Sequence, residues 1–322
     1  MARALITGAG GQDGHYLVEQ LVADGTEVHV LLHPSERPPE NAAATTHPGD
    51  VADIVATREL LLDLAPDEVY NLAAISSVAQ SWDDPAGVFK VNGEAAAELM
   101  ESAHLVQRRR DRPVRFVQAS SAEIFGEPEE SPQNERTPIR PVNPYGESKA
   151  FAHSKVEVYR GRGLPASSVI LYNHESPRRP AHFVTRKITS TVAAIAVGRA
   201  EELALGNLEA RRDWGWAPDY VDAMVRAARA EEPTDFVVAS GVSHSVRDFV
   251  GAAFAAAGID DWAPLVRIDP AFVRPTDPTE LVGDPTRART QLGWAPTMDF
   301  DQIVATMVAH DLEAARGVTP DE

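Results

Sequence analysis

The strongest constraint on this chain's fold lies at its amino terminus. Ala4-Leu5-Ile6-Thr7 is a short apolar run of the kind a buried parallel strand needs, and Gly8-Ala9-Gly10-Gly11-Gln12-Asp13-Gly14 follows without a spacer. Tyr16, Leu17, Val18, Leu21 and Val22 then recur at helical spacing. Gly8, Gly11 and Gly14 therefore stand as GxxGxxG at a strand-to-helix turn. The first permits the tight turn, the second lets backbone approach a pyrophosphate, and the third lets the helix pack close to the strand. The helix N-terminus offers unpaired N–H groups to the phosphates. Glycines also mark ordinary turns, so it is the strand and helix on either side that give the pattern meaning.

Further along, Ser120-Ser121-Ala122-Glu123 precedes Tyr145-Gly146-Glu147-Ser148-Lys149. Tyr145 and Lys149 are one helical turn apart, so a helix presents both on one face. An ammonium beside a phenol favours the phenolate and lowers the tyrosine pKa from its reference of about 10. A serine nearby can hydrogen-bond the same oxygen. Glu123 adds a carboxylate that alcohol oxidation alone does not need. An enzyme needs that second base when it must also take a proton from carbon. Alone, the Tyr-Lys pair also fits an exposed helix, and Glu123 a solvated loop or a helix cap. Joined to the glycine turn, they predict a dinucleotide-dependent enzyme.

Composition narrows the class. A chain of 322 residues, 43% hydrophobic, suffices for a full α/β core and a smaller second lobe. With no cysteine there is no disulfide framework, thiolate nucleophile or Cys-ligated metal, and no metal is expected. No apolar run is long enough to span a bilayer, and a core strand stands where a signal peptide would. The expectation is a cytoplasmic protein. A net charge of −18 argues against nucleic acid or an anionic membrane as partner. Lysine occurs only at 90, 149, 155 and 187, so arginines must supply most of the charge that meets a nucleotide.

Strands and helices alternate along the chain as a parallel sheet requires. Glu27–Leu32 reads as the second strand, Ile54–Leu64 as a helix and Glu68–Leu72 as the third strand. A helix around Val91–His104 and a strand from Val114 to Gln118 that ends at Ser120 follow. The helix carrying Tyr145 opens after Asn143-Pro144, and the strand Ser168–Tyr172 runs into Asn173-His174-Glu175. The catalytic candidates thus fall at the carboxyl edge of the sheet, where open α/β folds bind ligands. Trp214 and Trp216, two apart, share one side of a strand and read as core rather than as a stacking platform.

Several blocks are more specific than these motifs. They are Gly11-Gln12-Asp13-Gly14, Asp67 to Ala74, Gln118-Ala119-Ser120, Asn173 to Arg179, Phe183 to Ile188, Gly206 to Gly215, Arg274-Pro275-Thr276 and Gly283 to Thr286. Together they resemble the GDP-mannose 4,6-dehydratase family of the extended short-chain dehydrogenase/reductases, nearly end to end. The resemblance implies an α/β fold: a Rossmann-type doubly wound parallel sheet with a smaller C-terminal α/β substrate-binding lobe. Residues 1–172 would form the dinucleotide-binding domain, with segments of about 207–244 returning to it, and 173–322 mainly the nucleotide-sugar lobe.

The implied chemistry is a redox cycle with no net change in the cofactor: oxidation at C4 of the mannose, loss of water across C5 and C6, and reduction at C6. Tyr145 would take the O4 proton, Ser121 bond the same oxygen, Lys149 bind the nicotinamide ribose, and Glu123 remove the C5 proton. Cofactor contacts would come from Gly8, Gly11, Gln12, Asp13, Gly14, Ser35, Arg37, Asp50, Leu72, Ala73, Ala74, Lys149, His174 and Arg179; His174 reads equally well as a core histidine. Substrate contacts would come from Ser76, Asn173, Val184, Lys187, Arg212 and Arg274, the two arginines gripping the diphosphate.

The sequence departs from the family in three places. Where the family carries Arg-Arg-Ser-Ser for the NADP 2′-phosphate, this chain has His33-Pro34-Ser35-Glu36-Arg37. Ser35 and Arg37 favour NADP, and NAD stays an alternative. The loop that follows is short; in the family it reaches a neighbouring subunit and supports a tetramer, so a homodimer is expected before a tetramer. Ala122 replaces a hydroxylated residue, and Asp277 stands where the family often has Glu. The leading expectation is dehydration of GDP-mannose or a related nucleotide sugar. The alternatives are a 4-keto-6-deoxy sugar reductase, a nucleotide-sugar epimerase and, in a different class, a non-catalytic nucleotide-binding protein.

Overall fold

The structure, a computed structural model, describes residues 2–272 and 280–317. β1 (Arg3–Thr7), α1 (Gln12–Ala23) and β2 (Glu27–Leu32) open the chain. β3 (Thr45–Pro48), α2 (Ile54–Leu64), β4 (Glu68–Asn71), α3 (Val78–Ser81), α4 (Pro85–Phe89), α5 (Ala95–Arg110), β5 (Arg115–Ser121), α6 (Pro144–Gly161) and β6 (Ala166–Leu171) continue it. After these come β7 (Asn173–Glu175), α7 (Val184–Ala196), β8 (Leu203–Leu205), β9 (Arg211–Trp216), α8 (Ala217–Ala228), β10 (Phe236–Val238), β11 (Ser243–Ser245) and α9 (Val246–Ala256). β12 (Val266–Ile268), β13 (Glu280–Leu281), α10 (Thr286–Leu292) and α11 (Phe300–Arg316) complete the described part.

Seven strands form one sheet in the order β10-β6-β5-β4-β1-β2-β3, every pairing parallel. The chain leaves β1 toward β2 and β3, then crosses back to β4 on the other side. Strand order therefore reverses beside β1, and that reversal opens a crevice at the carboxyl ends of β1 and β4. The period of two along each strand separates two cores. Ala4, Ile6, Val28, Val30, Tyr70 and Val117 pack with Leu17, Val18 and Met224 on one face. Leu5, Leu31, Val69 and Phe116 pack with Leu61, Leu99, Met100 and Val156 on the other.

The second lobe is smaller. β9 is its central strand, pairing antiparallel with β11 and parallel with β13 and β7. Ile188, Val192, Trp214, Phe249, Phe254 and Met307 fill a third core under α7, α9 and α11. Trp214 is buried there and Trp216 packs against the same cluster, as their spacing predicts. The fully buried Asp213 accepts N–H groups from Ser240 (2.8 Å), Gly241 (2.9 Å) and Gly283 (3.3 Å), tying β9 to the loops beside it. β10, which lies in sequence between β9 and β11 of this lobe, pairs with β6 of the large sheet.

Two details differ from the sequence expectation. The helical stretch expected from Val91 begins at Pro85, whose N-terminal turn is capped by Asp84 accepting from the Gly87 N–H at 2.9 Å. It then passes through one π-turn at Lys90–Glu94. That turn aims Asn92 inward, where Oδ1 accepts from Ile75 N (2.8 Å) and Nδ2 donates to Ser148 Oγ (3.1 Å). β3 carries no apolar alternation and lies exposed at the sheet edge, so local patterning gives no sign of it.

Candidate active site

In the glycine turn, Gly8 and Gly14 stand where no side chain fits. Gly8 has φ +72°, and a Cβ there would sit 2.6 Å from the Ala73 nitrogen. A Cβ on Gly14 would lie 2.4 Å from Ala9 Cα, so α1 meets its own entry turn in backbone contact. Gly11 is the N-cap of α1 and no side chain caps it, which leaves the first N–H groups of the helix facing the crevice. A cleft of about 300 Å³ opens over this turn and is lined by Gly8, Gly11, Gln12, Asp13 and Gly14 together with Ser121, Glu123, Tyr145 and Lys149. A second cavity of about 290 Å³ adjoins it between the ends of β1 and β2. Glycines a Cβ would block and a free helix N-terminus over an elongated cleft suit a dinucleotide.

A buried polar ladder carries the sheet edge from the glycine turn to the catalytic candidates. Thr7 Oγ1 donates to Asn71 Oδ1 (2.6 Å), Asn71 Nδ2 to Gln118 Oε1 (2.8 Å), and Gln118 Nε2 to the Ala119 carbonyl (2.9 Å). Lys149 Nζ donates to that same carbonyl at 2.9 Å. The lysine is almost fully buried, and burial, opposed only by the charge of Asp13, brings its pKa down to about 8.

Tyr145 corrects the expectation drawn from the Tyr-Lys spacing. Its phenol is pushed up to about 12: burial leads, and the charge of Glu123 adds to it. A hydrogen bond with Ser121 and the charge of Arg179 act the other way. The Lys149 ammonium is held on the Ala119 carbonyl and lies 5.8 Å from the ring centroid, over the face of the ring. A helical turn places the two side chains together, but their tertiary partners set the proton equilibrium.

Glu123 follows β5 on a 3₁₀ turn whose first N–H groups are capped by Ser121 Oγ, accepting from Glu123 N at 3.2 Å. Its Oε2 accepts from Asn143 Nδ2 at 2.8 Å. Asn143 also caps α6, its Oδ1 accepting from Gly146 N at 2.8 Å. One amide thus fixes the carboxylate and starts the helix that carries Tyr145 and Lys149. In sequence, the Asn143-Pro144 pair marks a helix start but gives no hint of the second bond.

On the opposite wall, His174 Nε2 lies 2.9 Å from Asp13 Oδ2, and the imidazole stacks on Tyr220 at 4.6 Å. Burial would lower the imidazole pKa, but the Asp13 charge and hydrogen bond raise it above its ordinary value; the same pair holds Asp13 below the usual carboxylate range against its own burial. Gln12 Nε2 donates to the His174 carbonyl (3.1 Å) and Ser176 Oγ to Gln12 Oε1 (2.8 Å). His174 is thus both a core histidine and part of the cleft wall. Arg179 lies with its guanidinium 3.8 Å over the Phe183 ring and Nε 3.3 Å from Glu175 Oε2, at an angle that makes no hydrogen bond. Glu175 is buried and accepts from Thr185 Oγ1 at 2.6 Å. Neither Glu175 nor Thr185 was singled out from sequence, although both line the cleft. Ser120 Oγ is buried beside the cleft and finds no hydrogen-bond partner within the described chain.

The cleft gathers Leu72, Ala74, Ser76, Asn173, His174, Arg179, Val184 and Arg212 along with the catalytic candidates. Ser35, Asp50 and Ala73 line the adjoining cavity. Arg37 and Lys187 line neither. Arg37 is exposed, and Lys187 sits with Nζ 3.3 Å from the centroid of the Phe272 ring. Glu36, by contrast, lines both cavities, and burial there raises its carboxyl above the usual range. Arg274 and Asp277 lie outside the described residues.

The geometry can be set beside known proteins. A sequence profile for GDP-mannose 4,6 dehydratase matches residues 5–307. GDP-mannose 4,6 dehydratase 1 of Arabidopsis thaliana is 42% identical over 97% of this chain and 90% of its own length. The human GDP-mannose 4,6 dehydratase is 39% identical over 97% of this chain and 92% of its own. Among solved structures, the Thermus thermophilus UDP-glucose 4-epimerase in complex with NAD matches with a TM-score of 0.84 at 28% identity, covering 98% of this chain and 100% of that one. The Thermotoga maritima UDP-glucose 4-epimerase with UDP-glucose matches with a TM-score of 0.86 at 24% identity, over 97% of this chain and 99% of that one, a likeness of fold.

Proposed function

The chain belongs to the GDP-mannose 4,6-dehydratase family, and from that membership and the cleft geometry we propose that it converts GDP-mannose to GDP-4-keto-6-deoxymannose. The observation that carries this reading is Glu123. A second base, a hydrogen-bonded carboxylate, shares the cleft with Tyr145 and Lys149, as a reaction that breaks a C–H bond next to a ketone requires.

The cofactor is a nicotinamide dinucleotide, which when bound supplies a reversible two-electron acceptor. The residues do the rest. Tyr145 accepts the C4 hydroxyl proton while Ser121 hydrogen-bonds the phenol. A phenol held near 12 is a poor base on its own, so positive charge must stand close as the proton moves. Lys149, over the face of the ring, and Arg179, whose charge already pulls the phenol pKa down, are the cations suited to that task. Once C4 is a ketone, its neighbouring C5 proton is acidic and Glu123 takes it, with Asn143 holding the carboxylate in the reacting orientation. Elimination then expels the C6 hydroxyl as water, carrying off the proton that Glu123 took from C5. With the hydride returned to C6, C5 would take up the proton that Tyr145 accepted from the C4 hydroxyl, which leaves both side chains and the cofactor as they began. Arg212, on the lobe side of the cleft, meets the diphosphate, with Asn173, Ser76 and Val184 along the sugar and nucleoside. The charge of −18 and the lack of cysteine support a cytoplasmic enzyme of small nucleotide sugars rather than of nucleic acid or membranes. The short loop after Arg37 supports a dimer, which light scattering would test.

Incubation with GDP-mannose and NAD+ or NADP+, followed by the mass of the nucleotide sugar, tests the reading. Loss of one water without net cofactor reduction is the expected result. An unchanged mass in a protein that binds GDP-mannose would favour the epimerase or reductase alternative instead.

A further inference from the structure

We propose that Glu36 makes the adenosine end of the cleft selective for NAD over NADP, by accepting hydrogen bonds from a ribose diol and repelling a 2′-phosphate. The inference deepens the functional reading above and rests on the cofactor assignment within it.

β2 ends at Leu32, beside the glycine turn, and the residues that follow fold back over that turn. Glu36 N donates to the His33 carbonyl at 2.9 Å, and Glu36 Oε2 accepts from His33 N at 3.3 Å. His33 Nδ1 and Ser35 Oγ lie 2.6 Å apart. The compact turn so formed rests on Gly10, where a Cβ would come 2.7 Å from Glu36 Cβ and 2.9 Å from the Arg37 carbonyl oxygen. Gly10 therefore permits a close approach that brings the Glu36 side chain over the glycine turn and into the line of the cleft. The result is that Glu36 lines both cavities, at their junction.

The charges around that junction point one way. Among the described residues, the cavity between β1 and β2 is lined by His33, Ser35, Glu36 and Asp50 among others and by no lysine or arginine. The lysine and arginines described at the site, Lys149, Arg179 and Arg212, line the other cavity. A 2′-phosphate carries close to two negative charges and seeks bidentate arginine or several N–H donors. Here it would lose water against two carboxylates. A ribose diol instead has two O–H donors that a carboxylate accepts, which is how an acidic residue past the second strand serves NAD in sheets of this type. Arg37, the nearest arginine in sequence, lines neither cavity and contributes its backbone to the turn.

Isothermal titration of the purified, nucleotide-stripped full chain with NAD+ and with NADP+ tests this independently of turnover. The expected result is NAD+ binding tighter by roughly tenfold or more, the scale of one like-charge contact at a partly buried site. Glu36→Gln should narrow that ratio by about the same factor, weakening NAD+ and strengthening NADP+ together. Arg37→Ala should leave it within about twofold. NADP+ binding tighter to the unaltered chain, with Arg37→Ala abolishing the advantage, would overturn the proposal, as would a ratio that Glu36→Gln does not move. The expected ratio in a protein that leaves GDP-mannose unchanged would uphold it while removing the dehydratase reading. A chain that binds neither nucleotide would remove both.

Discussion

The sheet edge and the lobe-side wall face each other across one cleft, yet they hold their functional groups by different means. At the sheet edge, Tyr145 and Lys149 are buried on an 18-residue helix, and the polar ladder from Thr7 to Ala119 joins three adjacent parallel strands beneath them. Across the cleft, the wall around Arg212 rests on strands of two or three residues paired to β9. Acid/base catalysis depends on placement to within a fraction of an ångström, so it belongs on deeply supported elements. Diphosphate recognition depends more on charge and tolerates a shallower scaffold. The sheet edge should therefore set kcat and the lobe side KM.

The largest expected effect is that of Tyr145→Phe, which removes the proposed proton acceptor. kcat should fall by roughly 10³ to 10⁴, with GDP-mannose binding by calorimetry little changed. Substantial residual dehydration would break the assignment of chemistry to the sheet edge. Glu123→Gln should lower dehydration by about 10² to 10³ and stop solvent deuterium entering at C5. Exchange at an undiminished rate would assign the carbon base elsewhere. Arg212→Lys keeps the charge but loses the planar fork, and should raise KM roughly tenfold with kcat within a few-fold. A fall in kcat with unchanged KM would erase the division between the two walls.

The smallest effect concerns stability and sharpens the cost of the catalytic arrangement. Between about 8 and 10.5 the unfolded chain keeps the Lys149 proton that the folded chain has released. This residue's contribution to stability therefore rises with pH across that window, and below it the folded state bears the full penalty of a buried ammonium. Lys149→Met, though inactive, should stabilise the protein near pH 7 by on the order of 1 to 2 kcal/mol, the gain shrinking toward pH 10 in thermal melts. A gain that grows with pH would show that the buried charge is already compensated.

Much of the fold was open to reading along the chain. The apolar run Ala4–Thr7, the glycines and the helical spacing after them specify β1, its turn and α1 through purely local chemistry. The placement of the catalytic candidates was legible for the same reason: a helical turn spans Tyr145 to Lys149, and a strand end carries Ser121 and Glu123 into the adjoining turn. β3 was not, because an exposed edge strand shows no apolar alternation. The Asn143–Glu123 bond was not, because it joins groups twenty residues apart through side chains alone.

By itself, then, the sequence determined the alternation of strands and helices, the glycine cradle and the grouping of the acid/base candidates, since all of these follow from short-range sterics and periodicity. Only the tertiary structure decided that Tyr145 is held near 12 rather than below its ordinary value, that His174 pairs with Asp13, and that Glu36 rather than Arg37 faces the cleft. The reason is physical. Proton equilibria and the electrostatics of a binding site depend on burial and on charges brought together from distant parts of the chain, and local spacing carries no record of either.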